Sequence, residues 1–127
     1  MFESDKAYIF TEDELVDLCR EWQERLRLEH WDIALRIARA CDFTNEGDAE
    51  ITWVLSKAKA IMKILDPVDY PAGPFKQDME ISLVHELLHL HFAPFDHSTD
   101  GSMENTMMER ATDHIAITLV NLKRNTA

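Results

Sequence analysis

The fold of this chain is decided by residues 77–92, which read QDMEISLVHELLHLHF. Apolar side chains occupy nearly every face of a helix drawn through this stretch, namely Met79, Ile81, Leu83, Val84, Leu87, Leu88 and Leu90. A helix that is apolar all round is buried among other elements rather than laid on a surface. The stretch therefore predicts a central helix from about residue 77 to residue 92, against which the rest of the chain packs.

The residues before this helix predict a small sheet. Apolar residues alternate with polar or small ones over residues 31–38 and again over 51–55, the pattern of half-buried strands. A third strand is predicted at about 58–65, after a tight connection. The loop over residues 66–74 contains three prolines, which end the sheet because proline cannot donate a ladder hydrogen bond.

A helix is predicted on each side of this core segment in sequence. Residues 11–29 form an amphipathic helix that Thr11 caps, and Glu14 completes a capping box. A last helix is predicted over 102–123, with Ser102 as its cap. Its core side is predicted to consist of Met103, Met107, Ile115, Leu119 and Leu122. The order helix, three strands, helix, helix predicts an α+β fold with a mostly antiparallel sheet that the helices cover on one face.

The chemistry of this sequence centres on two histidines of the central helix. His85 and His89 are separated by four positions, so their imidazoles project the same way about one turn apart. This is the spacing with which two histidines hold one zinc ion. Glu86 follows the first histidine and can take a proton from water that zinc activates. Two histidines and a glutamate on an otherwise apolar helix would be costly to bury without a partner, which also favours a metal site.

A catalytic zinc site takes three protein ligands and water, so a third ligand must come from another element. Two residues are candidates. His97 lies in the loop after the central helix, and Glu109 lies on the last helix, 20 residues beyond His89. Asp113 follows Glu109 by four positions and shares its face. We expect Asp113 to accept a hydrogen bond from the ring nitrogen of His85 that does not face the metal, which orients the ring.

These two motifs together resemble the gluzincin zinc metallopeptidases, and the short chain is similar to their reduced single-domain forms, the minigluzincins. The resemblance implies His85, His89 and Glu109 as zinc ligands and Glu86 as general base and acid. It also implies that Asp113 orients a ligand. Met108 departs from the asparagine that thermolysin-like enzymes place before the glutamate ligand.

The resemblance also implies how a peptide substrate binds. In the family, substrate lies antiparallel along the edge strand of the sheet above the cleft. Here that strand is predicted to be 51–56 or, in preference, 58–65. A chain of 127 residues leaves no room for the second lobe that completes the cleft in larger members. The motif also lacks a group that stabilises the oxyanion, for which Tyr70, His97 and His114 are the candidates.

Charge, N-terminal sequence and length indicate which partners, location and domain number to expect. The formal charge of −11 disfavours binding to nucleic acid or to an anionic membrane. The N-terminal residues lack the pattern of a signal peptide, so the expected location is the cytoplasm. The length favours a single domain over residues 1–127. The predicted partner is a peptide or protein substrate.

Two other functions compete with a zinc peptidase. One is an SprT-like protease, which has a different third ligand, and the charge of −11 and the pair Glu109 and Asp113 argue against it. The other is a non-catalytic module that zinc folds. The presence of Glu86 favours catalysis, because a structural zinc site does not need that residue.

Overall fold

The structure, a computed structural model, describes residues 6–126. Within that range three α-helices pack on a three-stranded sheet, which confirms the predicted α+β class. The elements in chain order are α1 (Glu12–Arg25), β1 (Asp32–Ala38), β2 (Ala49–Val54), β3 (Lys59–Leu65), α2 (Met79–Phe92) and α3 (Met103–Thr126). No helix in the described range combines the length and the apolar character that crossing a membrane requires.

The sheet is mixed, so the prediction of a mostly antiparallel sheet is wrong. The strand order is β1-β3-β2, with β3 parallel to β1 and antiparallel to β2. A single 3₁₀ turn over residues 55–57, followed by Ala58 in the left-handed conformation, reverses the chain between β2 and β3. The longer connection over residues 39–48 carries the chain past the position that β3 occupies, which places β2 at the far edge.

Strand β3 is the centre of the sheet rather than its edge. It pairs with a strand on each side, and Ala60, Met62 and Ile64 on its inner face are buried against the helices. The preference for residues 58–65 as a substrate-binding edge strand is therefore wrong. The second predicted choice, β2, is an edge strand, because within the described residues it pairs with β3 alone.

Helix α2 is the buried central helix that its sequence predicts. Asp78 caps it by accepting a hydrogen bond from the backbone nitrogen of Ile81, at 3.1 Å. Helix α1 has the predicted capping box, but it ends at Arg25 rather than near residue 29. The chain leaves the helix there because Arg27 takes a left-handed conformation with φ of 61°.

The predicted core side of α3 is wrong. Met103, Met107, Ile115 and Leu122 are all exposed, and only Leu119 of the predicted set packs against the core. The buried residues of this helix are Thr112, Ala116, Ile117 and Val120. Small side chains at 112 and 116 let α3 approach α2 closely. Compared with the prediction, the helix is rotated about its axis, and this rotation turns Glu109 and Asp113 toward α2.

Four charged residues join the start of α2 to the end of α3, and we call them the helix-end ion cluster: Asp78, Glu80, Lys123 and Arg124. Arg124 donates two hydrogen bonds to Asp78, at 2.8 and 3.0 Å. Lys123 pairs with the buried Glu80 at 2.6 Å, and the indole of Trp22 donates to the same carboxylate at 2.7 Å. The cluster fixes how the two helices lie against each other, because a buried carboxylate must keep its partners.

Candidate metal centre

Helix α2 presents two imidazoles side by side. The ring centroids of His85 and His89 are 5.1 Å apart and the ring planes are tilted by 59°. Their side chains are each 14% exposed, so both are largely buried but still reach solvent. One helical turn of spacing therefore brings two ring nitrogens to one point on the helix surface, as the sequence predicts.

Helix α3 supplies a carboxylate at the same point. One oxygen of Glu109 lies 3.1 Å from Nε2 of His85, and the other lies 2.9 Å from Nε2 of His89. The potential ligand atoms of these three residues all lie within 4.8 Å of one another. Among residues 6–126 no other group of three histidine, cysteine or acidic side chains meets this spacing.

Asp113 lies on the other side of the His85 ring. Its carboxylate is 3.3 Å from Nδ1 of His85, which leaves Nε2 directed at Glu109. Burial disfavours protonation of His85, but the hydrogen bonds to Asp113 and Glu109 outweigh burial and raise the pKa of His85 to about 10. The hydrogen bonds from His85 and His89 hold the pKa of Glu109 well below its ordinary value.

Glu86 lies beside this group but differs from it in environment. Glu86 is 9% exposed, and its side chain forms no hydrogen bond or ion pair within the described part of the chain. Burial raises the pKa of Glu86, and the nearby histidines only partly offset that effect. A largely buried carboxyl whose pKa is raised and which lines a cleft is typical of a functional group.

The three residues fit a divalent transition metal. Two imidazoles and one carboxylate are a ligand set that holds catalytic zinc, with a fourth position left for water. Zinc at about 2.0–2.2 Å from each ligand atom would hold tetrahedral donors roughly 3.3–3.6 Å apart. The two short contacts to Glu109, at 2.9 and 3.1 Å, need only a slight separation to reach that spacing. The hydrogen bond to Asp113 also resembles the support that metal-ligating histidines receive.

Two members of this group, His85 and Glu109, line a cleft of about 340 Å³. Helices α2 and α3 form one wall, and the loop before β2 and the segment before α2 form the other. The lining residues beyond the histidine and glutamate group include Glu46, Gly47, Asp48, Ala49, Tyr70, Lys76, Asp78, Ser82 and Ile117. The cleft gives a molecule of a few residues access to Glu86, His85 and Glu109.

The other predicted site residues do not join the group. His97 is exposed in the connection between α2 and α3, outside the three-residue group and outside the cleft lining. His114 is exposed on α3 and is also absent from the cleft lining. Tyr70 does line the cleft, on the wall opposite the helices.

Sequence reasoning missed Asp48, which lies in this cleft immediately before β2. Asp48 is exposed, but partial desolvation of its carboxyl raises its pKa, and the negative charge of Asp113 raises it further. The residue belongs to the polar loop Asn45-Glu46-Gly47-Asp48, whose composition indicates only a turn. Its one sequence signal is a pair of acidic residues flanking a glycine ahead of a strand.

Comparison of the chain with protein families, with curated proteins and with solved structures finds no match.

Proposed function

We propose that this chain is a zinc-dependent metallopeptidase of minimal, gluzincin-like and zincin-like design. The convergence of His85, His89 and Glu109 from two helices supports the metal, and the buried, unpaired Glu86 beside them supports catalysis. A zinc ion held there would acidify water and polarise the carbonyl of a peptide bond.

Each residue of the site then has a separate task. Glu86 takes the proton of the attacking water and gives it to the departing amine. Its raised pKa suits a group that must accept and return a proton near neutral pH. Asp113 holds the ring of His85 in the tautomer that presents Nε2 to the metal.

The peptide substrate lies along β2 in this proposal. The strand is at the edge of the sheet, and its first residue, Ala49, lines the cleft. An edge strand offers backbone hydrogen bonds to an extended peptide without regard to its side chains. A peptide paired there would pass in front of the histidine and glutamate group.

The test compares zinc-loaded wild-type protein with Glu86→Gln and Glu104→Gln. Glutamine keeps the shape of glutamate but cannot accept the proton, so Glu86→Gln should bind one zinc per chain and cleave about 10²–10⁴-fold more slowly. Glu104 is exposed at the start of α3, so Glu104→Gln should behave like wild type. Elemental analysis measures the zinc, and release of fluorescence from a quenched unfolded protein measures cleavage, with and without a chelator.

Three results decide the matter. Loss of cleavage in Glu86→Gln with zinc retained supports a peptidase. A wild-type rate in that variant excludes Glu86 as the base. A wild-type protein that holds zinc and cleaves no unfolded protein or peptide library is instead a non-catalytic zinc module.

A further inference from the structure

We propose that the cleft binds a cationic group of the substrate, an ammonium or guanidinium, against Asp48. The inference rests on the proposed peptidase function and adds a substrate class to it, namely peptides with a basic side chain or a free amino terminus near the scissile bond. The charges of the cleft, the position of Asp48 and the unpaired Glu86 support it.

The charges that line the cleft are mostly negative. The acidic residues are Glu46, Asp48, Asp78, Glu86, Glu109 and Asp113, whereas the basic groups are Lys76 and His85. Arg124 neutralises Asp78 from outside the cleft. The five remaining carboxylates outnumber the positive charge that Lys76 and a divalent ion together supply. A cleft with this balance attracts cations and repels acidic peptides.

Asp48 is the carboxylate best placed to meet a substrate. Asp48 is exposed, and its side chain makes no hydrogen bond or ion pair with any residue of the described range. It lines the same cleft as Asp113, whose like charge raises the pKa of Asp48. Lys76 does not relieve this repulsion, because its Nζ contacts the carbonyl oxygen of Gly73 at 3.4 Å and forms no ion pair with any residue of the range 6–126. A cation between Asp48 and Asp113 would relieve the repulsion between the two carboxylates.

Two further features place the ligand in this cleft. Glu86 is 9% exposed, no hydrogen bond or ion pair engages its side chain within the described residues, and it lines the same cleft, so its carboxyl is open to a ligand there. Asp48 directly precedes Ala49, the first residue of the edge strand β2. A peptide paired along that edge would therefore carry one of its side chains or its amino terminus to Asp48.

The test measures binding in zinc-loaded Glu86→Gln, which prevents turnover. The probes are a seven-residue peptide, blocked at both ends, whose central residue is lysine, norleucine or glutamate, and the norleucine peptide with a free amino terminus. Calorimetry gives each dissociation constant. We expect the lysine peptide, the free-terminus peptide or both to bind on the order of tenfold more tightly than blocked norleucine, because hydrogen bonds between charged groups are the stronger ones.

The same titrations are repeated after adding Asp48→Asn or Asp42→Asn to the Glu86→Gln protein. Asp48→Asn should abolish the preference for a cation and leave the blocked norleucine peptide unaffected. Asp42 is exposed outside the cleft, so Asp42→Asn should keep the preference. Comparison of the lysine and free-terminus peptides tells whether the cation comes from a side chain or from the amino terminus.

Equal binding of all four peptides, a preference for glutamate, no binding at 1 mM, or a preference that survives Asp48→Asn would each overturn the inference. Cleavage of unfolded protein by wild type is measured separately. If wild type cleaves but the peptides bind equally, the inference fails alone. If wild type never cleaves while the preference for a cation holds, the peptidase proposal fails and the cation site remains.

Discussion

The contact between Asp113 and His85 allows a sharp test of the metal centre. Carboxylates that orient a ligand histidine typically raise metal affinity about 10–100-fold. The contact here is 3.3 Å, longer than the roughly 2.7–2.9 Å of a strong charge-assisted hydrogen bond, and the Asp113 side chain is 46% exposed, so water screens it. We therefore expect Asp113→Asn to weaken zinc binding by about tenfold, the low end of that range, or about 1.4 kcal/mol.

A competition titration with a chromophoric chelator at fixed pH measures this change. The matched control is Asp17→Asn, which removes an exposed carboxylate of α1 that pairs with Arg20 at 3.9 Å, and which should leave zinc affinity unchanged. In the metal-free protein, NMR titration of the His85 ring should show its pKa fall from about 10 when Asp113 is replaced. Unchanged zinc affinity together with an unchanged pKa would refute the role assigned to Asp113.

Two further outcomes are expected. The pKa of His85 is raised from 6.5 to about 10, so the contacts of His85 stabilise the metal-free fold fully below pH 6.5 and lose that effect as pH rises toward 10. The pKa of Glu109 is lowered, so the contacts of Glu109 stabilise the fold above pH 4.5 and lose that effect as pH falls. Thermal denaturation should show their contribution greatest between those two values, and apparent zinc affinity should rise about tenfold per pH unit while His85 is still protonated, since binding displaces that proton. Ile117→Ala should lower the free energy of unfolding by about 2–5 kcal/mol and Ile115→Ala by less than about 1 kcal/mol. Urea unfolding tests this pair, because Ile117 is 4% exposed and Ile115 is 40% exposed, and equal losses would contradict the observed rotation of α3.

The features of the fold that could be predicted are those that residues close together in sequence determine. The apolar residues of α2 specify a buried helix whatever surrounds them, and Thr11 with Glu14 specifies the start of α1 through hydrogen bonds three residues apart. The separation of His85 from His89 likewise fixes their geometry within one helix. None of these features depends on a partner distant in sequence.

The order of the strands could not be predicted, because it depends on which strands meet across a connection. The alternation of apolar residues over residues 31–38 and 59–65 indicates that both segments are strands, but it does not determine which strands pair. The pairing of Leu35 with Met62 follows from the connection that carries β2 to the far edge. Burial of β3 on the inner face is then a consequence of its central place.

The rotation of α3 could not be predicted for a different reason. Apolar periodicity selects the face with the largest hydrophobic side chains, which here contains Met107 and Leu122. The face that packs contains Thr112 and Ala116 instead, because small residues allow the close approach that the site requires. Glu109 was identified by its distance from His89 in sequence and by Asp113 one turn on, rather than by the apolar pattern of its helix.

The same two helices are joined at two places, and this arrangement bears on whether the metal site exists before metal binds. Arg124 and Lys123 hold the start of α2 through Asp78 and Glu80, and Glu109 holds α2 near its end. Glu80 and His89 are nine residues apart on α2, or roughly 14 Å at 1.5 Å per residue. The ion cluster contains no ligand, so it positions α3 whether or not zinc is bound. The histidines and Glu109 therefore need only small side-chain movements to receive the ion, and a site assembled on two fixed helices binds metal without first ordering a loop.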